Sequence, residues 1–185
     1  EVIPKIEVDW KYAGSLGWLD ISPWDGSPGP CVRTSSPVRV ELPRVGVTAV
    51  EGPNGSGKSV LIAAAAGISI VPQVRVRWEP GERKPPVVSL QYPELEIFEE
   101  EVEDELLHAA VSRGLARSEA SRRAAAALER LGVPAGVTMG RKTWGLSGGE
   151  KRLVSLVGAL IAPASLVALD EPTAGLDAER RENGP

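Results

Sequence analysis

The sequence contains few of the residues that form disulfides, zinc sites or nucleic-acid-binding surfaces. Cys31 is the only cysteine and His108 the only histidine among its 185 residues. A single cysteine excludes a disulfide within these residues, and one cysteine with one histidine leaves little for a zinc site. The formal net charge is −4 and the sequence has no long basic run, so we expect no nucleic acid among its partners.

Long apolar runs are also scarce. An uncharged run covers residues 153–169, but it falls just short of the roughly 20 apolar residues that span a membrane, and Pro163 interrupts it. It therefore predicts a buried helix, a turn at "APAS" and a buried strand. The opening "EVIPKIEVDW" lacks the apolar core of a secretory signal peptide. We expect a soluble chain.

Apolar periodicity, with glycine and proline as breakers, predicts the order of the elements. Strands are expected at residues 5–12, 38–42, 45–50, 68–78, 85–91 and 165–172, and an irregular loop or loose hairpin at 13–37. Helices are expected over residues 58–67, 99–115 and 118–131, with Gly67 and Gly132 as stops and Ser118 as a cap, and a loop followed by a helix is expected over residues 146–163. Strands alternating with helices predict an α/β fold: a mostly parallel sheet flanked by helices, with an antiparallel N-terminal β region and an inserted helical subdomain.

One short stretch, "EGPNGSGKSV" at residues 51–60, carries the strongest chemical signal. It fits G-x-x-x-x-G-K-[ST] between a predicted strand and a predicted helix, the pattern of a P-loop NTPase. Glycines let successive N–H groups form a concave anion site, and the helix adds the positive end of its dipole. Lys58 then contacts the β- and γ-phosphates of a nucleotide, and the Ser59 hydroxyl binds Mg²⁺. The alternative is a solvated glycine-rich turn.

The predicted nucleotide-binding residues of this stretch are Gly52, Pro53, Asn54, Gly55, Ser56, Gly57, Lys58, Ser59 and Val60. Lys58 is also expected to take part in catalysis.

Two carboxylates end the apolar run "LVALDEP" at residues 166–172. In parallel α/β sheets, ligands bind at the carboxyl ends of strands. Asp170 is therefore a candidate ligand of the Mg²⁺, and Glu171 a candidate general base for an attacking water. Such a pair taken alone is usually a polar turn.

Several further segments carry a family resemblance. "LSGGE" at residues 146–150 and "LDEPTAGLD" at 169–177 resemble the ATP-binding cassette (ABC) ATPases. "QYPELEIFEEEVEDEL" at 91–106 and "GGEKRLVSLVGALI" at 148–161 are similar, more narrowly, to the ATPase subunits of energy-coupling-factor importers, which bring vitamins and metal ions into prokaryotes. The resemblance covers roughly residues 5–180.

The resemblance implies further site residues. Ser147, Gly148 and Gly149 would face the nucleotide held by a partner subunit; the alternative is a glycine-rich turn before a helix. Gln91 would contact Mg²⁺ and the attacking water, although an isolated glutamine is most often a surface residue.

Tyr12, or failing that Trp10, would stack on adenine unless it belongs to the core. Asp177 would communicate across the dimer; its alternative role is a helix cap.

The resemblance also implies the function. We expect one ABC ATPase domain, with a nucleotide-binding core at residues 1–98 and 163–185 and a helical subdomain at 99–162. It would bind and hydrolyse ATP with Mg²⁺, and closure of a dimer would power a membrane importer. Its partners would be an identical or paralogous ATPase subunit and integral membrane subunits, at the cytoplasmic face of the cell membrane. Alternatives are a soluble non-transport ABC ATPase and a nucleotide-binding module with impaired turnover.

Three departures from the family pattern qualify this expectation. Val60 replaces a second hydroxyl residue, which is a mild change. Glu150 replaces the commoner glutamine and adds a negative charge, which is expected to weaken dimer closure. The sequence stops at Pro185, before the strand and the histidine that sense the γ-phosphate in the family. We therefore expect a C-terminally incomplete chain that is marginally stable and in which hydrolysis is impaired more than binding.

Overall fold

The computed structural model of the chain describes residues 5–9, 15–23, 25–26, 28–81, 84–89, 91–92 and 96–172. The chain divides into two compact units, an N-terminal unit that ends at Pro86 and a C-terminal unit that begins at Val87. Each unit has its own sheet pairing and its own buried side chains.

The N-terminal unit consists mainly of antiparallel strands. Strand β1 (Lys5–Asp9) pairs with β4 (Val47–Glu51), and β2 (Ser15–Ile21) lies between β3 (Val38–Pro43) and β5 (Val74–Trp78). All three pairings are antiparallel, as predicted for the N-terminal β region. Helix α1 (Lys58–Ala65) follows β4 after a short loop.

Strand β2 lies in residues 13–37, which the sequence assigns to an irregular loop or a loose hairpin. Its side chains alternate between buried and partly exposed positions, with Leu19 and Ile21 buried. A Cβ on Gly17 would lie 2.2 Å from the carbonyl oxygen of Arg77, so glycine is required where β2 and β5 approach. The irregular-loop alternative is wrong for residues 15–21, whereas the hairpin alternative agrees with the antiparallel pairing of β2 and β3.

Other element boundaries also differ from the prediction. The strand expected at residues 68–78 begins only at Val74, since residues 67–69 form the turn that ends α1. Ser118 is not a helix cap, because α3 (Arg117–Arg130) is capped at Ala116. Ala116 provides no side-chain cap, and Ser118 lies within the first turn of the helix.

The C-terminal unit contains one parallel strand pair and a helical region. Strand β6 (Val87–Ser89) pairs in parallel with β7 (Val167–Leu169). Between them lie α2 (Val102–Ser112), α3, α4 (Ala135–Met139), a 3₁₀ turn (Thr143–Gly145) and α5 (Gly148–Ile161). The uncharged run 153–169 is thus divided between a helix and a strand, as predicted.

The core of the C-terminal unit follows helical spacing. Its fully buried side chains recur every three or four residues on α2, α3 and α5, which places them on one face of each helix. They include Val102, Leu106, Leu107, Ala110, Ala120, Ala124, Leu128, Val154 and Val157. In the part of the chain that the structure describes, no helix is both long enough and apolar enough to cross a bilayer.

Three helices end at a glycine in the left-handed region. Gly67, Gly114 and Gly132 have φ of 75°, 86° and 74°. After α2, the amide of Gly114 donates to the carbonyl of Val111 at 2.9 Å, and that of Leu115 to Ala110 at 3.0 Å. This paired pattern satisfies the last carbonyls of a helix and favours glycine. The predicted stops at Gly67 and Gly132 are confirmed.

Replacing Gly114 with alanine is expected to lower the free energy of unfolding by about 1–2 kcal/mol, the cost of the left-handed conformation. A Cβ there meets nothing within 4 Å, so backbone strain is the only cause. Gly136→Ala in α4 is the matched control, because its Cβ also meets nothing within 4 Å and alanine in a helix gains roughly 0.5–1 kcal/mol. Urea denaturation measures both; changes of the same sign would contradict this account.

Candidate functional site

The glycine loop, residues 52–59, lies between β4 and α1, as its motif requires. Gly55 and Gly57 have φ of 80° and 95°, which is the left-handed region. Gly57 is the N-cap of α1 without a side-chain cap, and the first turn carries no acidic residue. The first amides of a helix have no partner within the helix. At α1 they are therefore free of both a capping side chain and a competing carboxylate.

Gly57 packs directly against another backbone segment. A Cβ on Gly57 would lie 2.5 Å from the carbonyl oxygen of Cys31 and 2.9 Å from the Cα of Val32. That segment is fixed by the buried side chain of Gln73, whose Oε1 accepts from the amide of Val32 at 3.2 Å and whose Nε2 donates to its carbonyl at 3.3 Å. The sequence analysis missed Gln73, because its partners are backbone atoms far away in the chain.

The polar side chains of the glycine loop are only partly satisfied by the protein. Lys58 Nζ donates to the carbonyls of Gly52 at 2.8 Å and Pro53 at 3.2 Å, so the ammonium folds back over the loop. The hydroxyl of Ser56 is fully buried and has no hydrogen-bond partner among the described atoms. Ser59 is exposed. A cation and an unpaired hydroxyl thus accompany the open amides, a donor set suited to an anion.

In the C-terminal unit, Asp170 and Glu171 follow β7 as predicted. Asp170 is buried, and its amide donates to the carbonyl of Ser89 at 3.1 Å, extending the β6–β7 pairing by one residue. Glu171 is exposed and has φ of 50°; among the described residues it is the only non-glycine with positive φ. Strained backbone of this kind is concentrated at functional sites.

The structure brings Gln91 and Glu171 together. Gln91 Nε2 donates to Glu171 Oε2 at 2.7 Å. The two residues follow neighbouring parallel strands, so the topology of β6 and β7 explains their proximity. Since the amide nitrogen is used by Glu171, the Oε1 atom of Gln91 is the one that can accept a hydrogen bond or bind a metal.

The signature segment, residues 146–150, forms the start of α5. The Ser147 hydroxyl accepts from the amide of Glu150 at 3.3 Å, and the Glu150 carboxylate accepts from the amide of Ser147 at 2.7 Å. This reciprocal pair is a capping box. Ser147 and Gly148 are exposed and Gly149 is half-buried; a Cβ on Gly148 would meet nothing within 4 Å. The N-terminal end of α5 is therefore open at its backbone.

The charge of Glu150 is balanced by a residue that the sequence analysis missed. Arg141 forms a salt bridge with the Glu150 carboxylate and also donates to the carbonyl of Gly145 at 3.0 Å. The hydrogen bond from Arg141, with that from the Ser147 amide, lowers the pKa of Glu150. The residue that adds a negative charge to the signature segment thus has its own counter-ion within the same unit.

Several predicted residues lie elsewhere. Tyr12, Trp10 and Asp177 are outside the described residues. His108 is on α2, where its Nδ1 lies 3.0 Å from Glu99 Oε1. No group of three or more histidine, cysteine, aspartate and glutamate side chains suited to a metal ion exists among the described residues.

Comparison of the sequence with known proteins gives the same family as the sequence motifs. Residues 36–174 match the family model described as ABC transporter. The chain is 34% identical over 151 residues to the energy-coupling factor transporter ATP-binding protein EcfA2 of Spiroplasma kunkelii, covering 74% of this chain and 49% of that protein. It is also 34% identical over 167 residues to the protein of the same name from Halalkalibacterium halodurans, covering 83% and 58%. The chain thus spans about half the length of these curated relatives.

Solved structures agree on the fold. The cbiO1 protein of Clostridium perfringens, described as part of the ABC transporter complex cbiONQ, matches with a TM-score of 0.60 at 23% identity, covering 88% of this chain and 68% of that one. The ADP conformation of another ATP-binding cassette of an ABC transporter matches with a TM-score of 0.56, also at 23% identity, covering 88% and 71%. The predicted P-loop NTPase fold is confirmed.

Gly57→Ala is expected to destabilise the N-terminal unit more than Gly55→Ala does. Both positions have positive φ, so each substitution costs about 1–2 kcal/mol of backbone strain. Only at Gly57 does the new Cβ also collide with backbone, whereas at Gly55 it meets nothing within 4 Å. Urea denaturation of both variants measures the difference. Equal losses would contradict the packing of the loop against residues 31–32.

The Arg141–Glu150 pair is expected to stabilise the chain in a pH-dependent way. Because the folded pKa of Glu150 is depressed, its contribution is present above the unfolded pKa of about 4.3 and is lost as pH falls through the lower folded pKa. Glu150→Gln should therefore destabilise at pH 7, by less than about 1 kcal/mol for a pair this exposed, and by less at pH 3 than at pH 7. Urea denaturation at both pH values tests this, and in an Arg141→Ala background the pH 7 effect should shrink.

Proposed function

Since this chain belongs to the ABC transporter family, we propose that it is an ATP-binding and ATP-hydrolysing subunit that powers a membrane importer. The single observation that carries this proposal is the complete glycine loop in its strand–loop–helix setting. Its donor set, with open first-turn amides and Lys58 folded over the loop, suits a polyphosphate.

ATP binding would use the atoms that the loop leaves open. The amides at the start of α1 would bind phosphate oxygens, and Lys58 would exchange its carbonyl partners for the β- and γ-phosphates. The Ser56 hydroxyl, which is buried and has no partner among the residues that the structure describes, could then donate to a phosphate oxygen. Tyr12 remains our candidate for stacking on adenine.

The residues proposed for Mg²⁺ fit its preference for oxygen ligands. Ser59 offers a hydroxyl, Gln91 the amide oxygen that Glu171 leaves available, and Asp170 a carboxylate. When bound, the ion would neutralise charge on the phosphates. Glu171, oriented by the Gln91 amide, would accept a proton from the attacking water.

Nucleotide-driven closure of a dimer is the proposed source of the mechanical work. The exposed amides at the start of α5 would bind the phosphates held by a second ATPase subunit, with Ser147, Gly148 and Gly149 leaving room for close approach. Relatives of this chain carry the name energy-coupling factor transporter ATP-binding protein. We accordingly propose integral membrane subunits as the other partners, at the cytoplasmic face of the cell membrane.

Phosphate release at saturating MgATP, together with nucleotide affinity, tests this proposal. Lys58→Ala should weaken ATP binding about ten- to a hundredfold, the loss expected for hydrogen bonds to a charged group. Glu171→Gln should bind ATP normally but release phosphate at least about a hundredfold more slowly, because a general base is lost. Lys151→Ala and Glu41→Gln are matched controls outside the proposed site. Parent-like binding by Lys58→Ala would contradict the proposed role of the glycine loop, and parent-like turnover by Glu171→Gln that of the general base.

A further inference from the structure

Helix α5 holds the segment around Gln91 at two points. Arg152 Nη2 donates to the backbone carbonyl of Gln91 at 2.6 Å. One turn further along, Ser155 bonds the carboxylate of Glu96, and its hydroxyl lies 3.0 Å from that of Ser89. Arg152 and Ser155 are three residues apart and therefore share one face of the helix.

The two contacts bracket the glutamine. Ser89 is the last residue of β6, and Glu96 lies five residues after Gln91. The Ser155 contacts fix the segment on both sides of Gln91, and Arg152 fixes the residue itself. Without the Ser155 hydroxyl, the Gln91 carbonyl would still be bonded by Arg152. Without Arg152, the carbonyl of Gln91 itself would lose its hydrogen bond.

The position of that carbonyl determines the reach of the side chain. The Gln91 amide donates to Glu171 at 2.7 Å, and Glu171 is held in the strained left-handed conformation. A displaced Gln91 side chain would therefore lose this hydrogen bond to Glu171. A shift of about 1 Å in such an arrangement costs on the order of a hundredfold in rate.

We propose that Arg152 is a positioning residue, which holds Gln91 on helix α5 so that the Gln91 amide keeps Glu171 oriented for proton transfer. This inference rests on the proposed ATPase function and adds Arg152 to the residues that would support it. Helix α5 begins at the signature segment, which is proposed to meet the second subunit. The Arg152 contact therefore connects this helix to the proposed catalytic pair, Gln91 and Glu171. Arg152 itself touches neither nucleotide nor metal in this scheme.

Kinetics and binding separate this role from a general structural one. For Arg152→Ala we expect kcat for ATP hydrolysis to fall about ten- to a hundredfold, with the Kd for MgATP within about twofold of the parent. Arg152→Lys keeps a donor for the Gln91 carbonyl and should recover part of the loss. Lys151→Ala, the neighbouring cation that makes none of these contacts, should match the parent. Ser155→Ala should have a smaller effect than Arg152→Ala.

Two outcomes of these measurements would overturn the inference. Parent-like turnover by Arg152→Ala would remove the positioning role and leave the proposed function intact. A parallel loss of ATP affinity and of resistance to urea would show that Arg152 only stabilises the fold. Failure of the parent chain itself to bind ATP would instead reject the proposed function, and this inference with it.

Hydrogen–deuterium exchange tests the contact without nucleotide, and decides the case if the turnover of the parent is too slow to measure. A peptide covering residues 87–99 should exchange faster in Arg152→Ala than in Lys151→Ala, while peptides from α3 should be unchanged. Equal exchange in residues 87–99 would contradict the proposal.

Discussion

The contact between Gly57 and the backbone of residues 31–32 is the constraint on which the glycine loop depends. Only a residue without a Cβ fits there, and only glycine readily adopts its φ of 95°. Gln73 fixes the other side of the contact through both polar groups of Val32. The shape of the proposed phosphate site is thus set by backbone packing, and Lys58 supplies charge to a loop that is already formed.

A second constraint acts in the C-terminal unit, where parallel pairing of two short strands sets the chemistry. Because β6 and β7 run side by side, the residues after them meet, and Gln91 bonds Glu171. Helix α5 has two roles. Its capped N-terminus is the signature segment, and its Arg152 side chain bonds the carbonyl of Gln91. One helix therefore both positions the proposed catalytic pair, Gln91 and Glu171, and carries the signature segment at its start.

The features that the sequence predicted correctly are local ones. The motif of the glycine loop and the stops at Gly67 and Gly132 are recognisable in the sequence because their left-handed backbone conformations favour glycine. For β2 the sequence left a loop and a loose hairpin as alternatives, because the segment is rich in glycine and proline; its pairing with β3 and β5 comes from the fold. The contacts of Gln73 and Arg152 could not be predicted, because their partners lie 41 and 61 residues away in the sequence. Arg141 was missed for a related reason, since only the fold brings it to Glu150.

Equilibrium titration of the chain with fluorescently labelled ATP, with Mg²⁺ and with a chelator in its place, tests the central claim most directly. This account predicts saturable binding that is strengthened by Mg²⁺ and displaced by unlabelled ATP. Circular dichroism on the same sample would establish that the chain is folded. A folded chain that shows no saturable, metal-dependent binding would contradict the account.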